Sequence, residues 1–211
     1  MKTELEEKLL KKYPQFFRTD RKIYTGGDST RKVLENVIEL LNQEEMVLPI
    51  QFGLECGNGW YMLLDELMSE IDNHLKNVNR WREKGKHKYK LLEKWSYNLR
   101  IRSAHKQKMR KKLGEWIEKN APRIFEPPLT IQIDQIKEKF GGLRFYYSGG
   151  DDEIAGMVSL AESLSYKICE SCGSTKNIGY TKGWITTMCQ ECYDKNPKKE
   201  NLRWELRNEN K

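Results

Sequence analysis

Apolar positions recur at helical spacing up to Pro127-Pro128 and at strand alternation or in short runs after it. Leu5, Leu9 and Leu10 predict a short helix, opened by a Thr3/Glu6 capping box and ended at Tyr13-Pro14, with Phe16 and Phe17 anchoring the next segment. Arg18 to Asp28 holds a Gly26-Gly27 break and reads as a loop closing on an Asp28/Ser29/Thr30 cap; Val33, Leu34, Val37, Ile38 and Leu41 then predict a second helix. After Pro49 the pattern is extended through Ile50, Phe52 and Leu54 as far as Glu55–Trp60, where Gly57 and Gly59 permit a tight turn and Asn58 is the expected cap of the next helix. That helix carries Trp60, Leu63, Leu64, Leu67, Met68, Ile71, Leu75 and Val78 on one face, the best core stripe in the chain. One or two further helices are expected around Gly85 on a thin seam of Leu91, Leu92, Trp95, Leu99 and Ile101. A last amphipathic piece, Leu113 to Ile117, leads to a boundary at Pro122 and Pro127-Pro128.

From Leu129 to Ser148 the pattern predicts a β-hairpin turning at Gly141-Gly142, which sets Phe140 opposite Leu143, Lys139 opposite Arg144, Glu138 opposite Phe145 and Lys137 opposite Tyr146. One face is then Ile136, Glu138, Phe140, Leu143, Phe145 and Tyr147, and the other Lys137, Lys139, Arg144 and Tyr146. Strict alternation would put Ile131 and Ile133 on the basic face, so either a bulge lies near Asp134-Gln135 or the register differs. Gly149-Gly150 breaks the chain, Asp151 or Asp152 caps a helix on Ile154, Met157, Val158, Ala161, Leu164 and Ile168, and that helix delivers Cys169 directly. Two short strands, Ile178-Gly179-Tyr180 and Trp184-Ile185-Thr186-Thr187, are expected around Lys182-Gly183. The tail from Lys198 is expected to be a charged helix docking through Leu202, Trp204 and Leu206. The class is α+β: a mainly helical body over 1–168 with a basic helical insertion at about 80–112 and the hairpin at about 129–148, then a zinc ribbon with a C-terminal helix over 169–211.

The cysteines change this picture most. Cys169/Cys172 and Cys189/Cys192 form C-x2-C-x16-C-x2-C, a spacing that lets two pairs of sulfurs converge on one tetrahedral ion. No secretory leader or apolar run of about 20 residues is visible, so a cytoplasmic, membrane-free protein is expected, and in a reducing compartment paired cysteines favour a metal over a disulfide. The expected cofactor is one structural Zn2+ per chain, since four thiolates leave no open position for catalysis; a redox dithiol is the alternative. Cys56 reads as an ordinary semi-buried thiol.

Charge is segregated. The net charge is +7, yet between Arg80 and Lys112 fourteen Lys/Arg face two acids, a balance of +12, which leaves −5 for the remainder. Interleaved with Trp81, His87, Tyr89, Trp95 and Tyr97, these cations suit phosphate contact with ring stacking, Arg100, Arg102, Lys106 and Trp95 being candidate contacts; the plainer alternative is a solvated helical face. Lys137, Lys139, Arg144 and Tyr146 make a second, smaller basic face able to clamp a phosphate, or else a strand edge guarded by charge. Glu138, set among apolar neighbours, is expected to have a raised pKa or a cationic partner, or to lie at the rim. Glu55, Asn58 and Trp60 are a weaker candidate for a small-ligand site at a helix start, or simply a glycine-bounded cap. His74, His87 and His105 share no spacing with acids or Cys56 that would make a second metal site. With no Walker loop, dinucleotide fingerprint, Gly-x-Ser-x-Gly elbow or HExxH present, nothing argues for an enzyme.

Phe52-Gly53-Leu54-Glu55-Cys56-Gly57-Asn58-Gly59-Trp60, the run Ile136-Lys137-Glu138-Lys139-Phe140-Gly141-Gly142-Leu143-Arg144-Phe145-Tyr146-Tyr147, and a cysteine-paired tail with Gly183-Trp184 together resemble a family of small uncharacterised bacteriophage and prophage proteins. The resemblance covers most of the chain outside the basic strip. It marks residues about Arg80 to Lys112 as an elaboration of this member and implies no activity. A phage setting, with the host bacterial cytoplasm as its compartment, implies two roles. One is a non-enzymatic, zinc-binding accessory protein that holds nucleic acid through basic-aromatic surfaces. The alternative is a counter-defence protein that sequesters a host cyclic nucleotide or binds a host protein.

Overall fold

The computed structural model describes residues 1–17, 54–98 and 104–207. The predicted Arg18–Asp28 loop, the helix on Val33–Leu41 and the extended approach through Ile50 and Phe52 lie outside the described residues. Among the described residues the class is α+β: helices, two three-stranded sheets and a C-terminal four-cysteine cluster. They divide into two units, Met1–Ile71 with Ile131–Lys211, and Asp72–Thr130.

In the first unit, α1 (Thr3–Lys12) starts one residue earlier than a Thr3 cap would require. Lys2 is the N-cap, with extended backbone and no side-chain bond, so the capping box does not form. Glu6 instead bridges to strand β1 (Leu54–Glu55), where its Oε1 accepts from the backbone N–H of Leu54 at 3.1 Å. Pro14 closes α1 as expected and opens a single 3-10 turn, and Leu9, Tyr13, Phe16 and Phe17 are buried. Asn58 is likewise not a cap. It lies in a 3-10 turn, Asn58–Trp60, and its Oδ1 accepts from Lys2 N at 2.7 Å. From that turn α2 (Tyr61–Asn98) sets Leu64, Met68 and Ile71 on the core side, each with no exposure, beside Trp60. Burying a side chain of that size is worth roughly 1.5–3 kcal/mol.

β2 (Ile131–Lys139) pairs with β1 in parallel, Leu54 facing Ile136, and with β3 (Gly142–Gly149) antiparallel. The two turn residues are Phe140 and Gly141, not Gly141 and Gly142: Lys139 faces Gly142, Glu138 faces Leu143, Lys137 faces Arg144 and Ile136 faces Phe145. Phe140 and Gly141 have φ of 55° and 76°, the paired positive values of a type I′ turn. Gly142 belongs to the strand, where glycine is needed: a Cβ there would lie 2.3 Å from Cζ of Tyr166. Moving the turn by one residue shifts each cross-strand partner by two, from Arg144 to Gly142 for Lys139 and from Tyr146 to Arg144 for Lys137, and a shift of two leaves each residue's face unchanged. The register shifts between Ile133 and Gln135, which returns Ile131 and Ile133 to the buried side.

Asp151 caps α4 (Asp152–Ser165), its Oδ1 accepting from Ile154 N at 3.1 Å. Ile154, Val158, Ala161 and Ser165 form the buried stripe. The helix stops at Ser165, short of Ile168, and a turn carries the chain to Cys169. In the second sheet, β4 (Ile178–Lys182) lies between β5 (Thr187–Cys189) and β6 (Arg203–Leu206), both antiparallel to it. The second ribbon strand therefore begins at Thr187, leaving Trp184 and Ile185 in the connecting loop. The tail is a strand rather than a helix: β4 has a free edge, and Leu202, Trp204 and Leu206 alternate at period two.

The second unit settles one alternative left open at Gly85 and corrects the boundary expected at Pro122. α2 runs through Gly85 without a break, because that glycine is a contact point: a Cβ there would lie 2.7 Å from Cγ1 of Ile124 on α3 (Ala104–Ile124). Pro122 lies inside α3, in its last turn, and the helix ends at Ile124 rather than at the proline. The outgoing chain is then tied to α2. Asn79 receives Leu129 N at 2.8 Å and donates to Leu129 O at 2.9 Å, and Arg82 reaches Pro127 O and Glu126.

Candidate metal centre and basic surfaces

Local backbone geometry places the four sulfurs. Cys169 N donates to Ser174 O and Gly173 N returns a bond to Cys169 O, both at 2.8 Å, a knuckle that Gly173 permits with φ +81°. Cys189 ends β5, and its Sγ accepts from Cys192 N at 3.5 Å at the start of α5 (Gln190–Asp194). All four Sγ atoms lie within 4.8 Å of one another. A tetrahedral ion with metal–sulfur bonds of about 2.3 Å separates its sulfurs by roughly 3.8 Å, and Cys172 Sγ lies 3.7 Å from Cys189 Sγ. The cluster is thus positioned to bind one metal ion. Burial raises the Cys169 thiol, but backbone N–H groups of Cys189, Cys172 and Ser171 outweigh it and hold that thiol below its ordinary pKa. Burial pushes Cys189 and Cys192 up; the Cys169 and Cys172 sulfurs add to it at both, while Cys192 opposes it at Cys189 through its backbone N–H and thiol. A central cation would reverse that repulsion.

The knuckle is tied to the Gly57–Trp60 segment, and the hairpin is tied to residues that flank the knuckle, Ser165 and Thr187. Glu170 accepts from Gly57 N with Oε1 at 2.9 Å and from Gly59 N with its carbonyl at 2.7 Å, and Trp60 Nε1 donates to Ile168 O at 3.0 Å. A Cβ on Gly59 would lie 2.1 Å from Cys169 O. From the hairpin, Leu143 N donates to Ser165 Oγ at 2.9 Å and Gly141 O accepts from Thr187 Oγ1 at 2.5 Å. Glu55, Asn58 and Trp60 each have a fold-internal partner, Glu55 accepting from Gln135 Nε2, Asn58 from Lys2, and Trp60 being fully buried. Cys56 is buried, which pushes its thiol up to about 12.

The hairpin's basic face is assembled as residues but partly committed. Lys137 and Arg144 are cross-strand partners, and Lys137 Nζ stands 5.2 Å from the ring centroid of Tyr146. Arg144 donates to Tyr166 Oη at 2.9 Å and to Leu143 O at 2.6 Å; the Tyr166 bond holds its guanidinium charged, above the ordinary value. Arg207 Cζ lies 4.8 Å from the same ring and 5.5 Å from that of Tyr180, and its Nε is buried without a hydrogen-bond partner. Sequence reading missed Tyr166 and Arg207, which only the fold brings beside Arg144. Among the described residues Glu138 has no cationic partner. Its carboxylate accepts from Gly141 N at 2.5 Å and fixes the turn.

On the second unit, Arg80, Lys84 and Lys88 follow one another at four-residue steps, and all three are exposed beside Trp81, itself 47% exposed. Lys88 lies over the Trp116 ring at 4.5 Å. Among the described residues, Arg82 pairs with Glu126 and Lys86 with Glu83, whereas no ion pair engages Arg80, Lys84, Lys90, Lys94, Lys108, Lys111 or Lys112. Of the other sequence candidates, Arg100 and Arg102 lie outside the described residues, and Trp95 and Lys106 are described as helical backbone alone. No described helix is long and apolar enough to cross a membrane. The chain matches no protein-family model, no curated protein and no solved structure.

Proposed function

We propose that this protein is a non-enzymatic accessory protein that binds one structural zinc ion and holds nucleic acid through basic-aromatic surfaces, in the bacteriophage setting its sequence motifs imply. The observation that carries the nucleic-acid part is the line of exposed Arg80, Lys84 and Lys88, none of them in an ion pair among the described residues, with exposed Trp81 beside them. Cations kept for solubility are ordinarily interspersed with acids, whereas this stretch holds two acids against fourteen. Zinc is the ion that four thiolates at tetrahedral spacing favour, and a reducing host cytoplasm is where such thiolates persist. With its coordination filled by cysteines, zinc supplies cohesion here rather than chemistry.

Binding of labelled nucleic acid at several salt concentrations tests this. Affinity is expected to fall steeply with salt, and Arg80→Glu/Lys84→Glu/Lys88→Glu to weaken binding at least tenfold while flattening the salt slope by about 3. Absence of binding at physiological salt would overturn the reading. The counter-defence alternative draws support from Arg144 and Arg207, two guanidiniums sharing Tyr166, which suit a single compact phosphate ligand. Tight, salt-tolerant binding of a cyclic nucleotide, lost in Arg207→Ala, is its distinguishing result.

A further inference from the structure

Two loops of the first unit carry large rings that the fold does not use. Phe140 takes the first turn position of the hairpin with φ 55°, a conformation that favours glycine, asparagine or aspartate, yet its ring is 66% exposed. The strain is not offset by burial, and a strained residue without a packing role points to a contact outside the chain. Trp184, in the loop after Gly183, is 79% exposed. These loops touch: a Cβ on Gly141 would lie 2.9 Å from Cγ2 of Ile185, and Thr187 Oγ1 donates to Gly141 O. The ground on the hairpin side, around Phe140, is cationic. Lys139 Nζ stands 5.4 Å from the Phe140 centroid, Lys137 stands over Tyr146, and Arg144 lies opposite Lys137. Glu138, the acid of this hairpin tip, is turned back onto Gly141 N, and Lys182 beside the ribbon loop is already paired with Glu205.

We propose that the hairpin tip and the ribbon loop form a stacking platform for single-stranded nucleic acid, with Phe140 and Trp184 taking bases and Lys137, Lys139 and Arg144 facing the phosphates. The proposal rests on the nucleic-acid function proposed for the protein and narrows it to a strand type and a site. Two exposed rings on touching loops, with Lys137, Lys139 and Arg144 outside any ion pair among the described residues on the hairpin side, match a ligand that offers flat π-faces and a regularly charged backbone; a duplex offers the charge but keeps its base faces stacked.

The test uses the full-length, zinc-loaded protein with a labelled oligomer of about 15 thymidines and a blunt duplex of the same length. Phe140→Ala and Trp184→Ala remove only exposed rings, and unchanged zinc content and melting temperature verify the fold. The double variant is expected to lose at least tenfold in single-strand affinity with duplex binding unchanged, and single-strand binding to quench tryptophan fluorescence in the wild type but less in Trp184→Ala. If single strand and duplex bind equally and neither ring matters, the platform is overturned while the helical stripe's role stands. Failure of the wild type to bind either oligomer overturns both. Retention of a protein partner through these rings, with nucleic-acid binding unchanged in the variants, overturns the platform.

Discussion

Gly142 and Gly156 belong to one unit and answer the same substitution in opposite ways. A methyl group on Gly142 meets the Tyr166 ring at 2.3 Å, whereas at Gly156, exposed on α4, nothing lies within 4 Å. Gly142→Ala is expected to cost about 2–3 kcal/mol, since Tyr166 is held by Arg144 and cannot yield without loss. Gly156→Ala is expected to gain roughly 0.5–1 kcal/mol by removing freedom from the unfolded chain. Urea unfolding of both reads the sign directly; a neutral Gly142→Ala would mean that Tyr166 moves freely. At this scale the sequence showed that glycines mattered in Phe140-Gly141-Gly142 but not which pair turned. That Gly142 leaves room for Tyr166, 24 residues further along the chain, has no local signal.

Elements were legible where one period dominated. The Trp60–Leu75 stripe, the hairpin faces, the bulge and the Asp151 cap follow from local pattern, because each is fixed by neighbours in sequence. The tail was not, since Leu202, Trp204 and Leu206 fit a short helix or a strand, and the open edge of β4 selects the strand. Gly85 left one or two helices open for a related reason: a glycine in a helical run is compatible with a break or a close contact until the helix packed against it is known. β6 is held chiefly by Trp204, which stacks on Tyr193 at 5.8 Å, donates Nε1 to Met188 O at 3.1 Å and fills the space over Gly179. Trp204→Ala is expected to destabilise the ribbon by about 2–3 kcal/mol and to release its metal several-fold faster to a chromogenic chelator, with stoichiometry intact. An unchanged release rate would show that β6 is not needed to hold the site closed.

For the whole molecule, the cysteine quartet could be read from spacing alone, but its reach could not. Metal removal is expected to disturb more than the ribbon, because Glu170 holds Gly57 and Gly59, and Ile168 holds the Trp60 indole. Chelation, or Cys189→Ser, is therefore expected to lower the melting temperature and shift the emission of buried Trp60; loss of metal with neither change would show the body to be independent of the knuckle. Gly57–Trp60 meets the Cys169–Gly173 knuckle directly and Phe140–Leu143 meets Ser165, Tyr166 and Thr187, which flank it in the chain, whereas the second unit, Asp72–Thr130, enters the chain between the first two of these segments. Substitutions in any of the three segments are expected to co-vary with the other two, so homologues are best sought with a three-part pattern that leaves the first gap unrestricted.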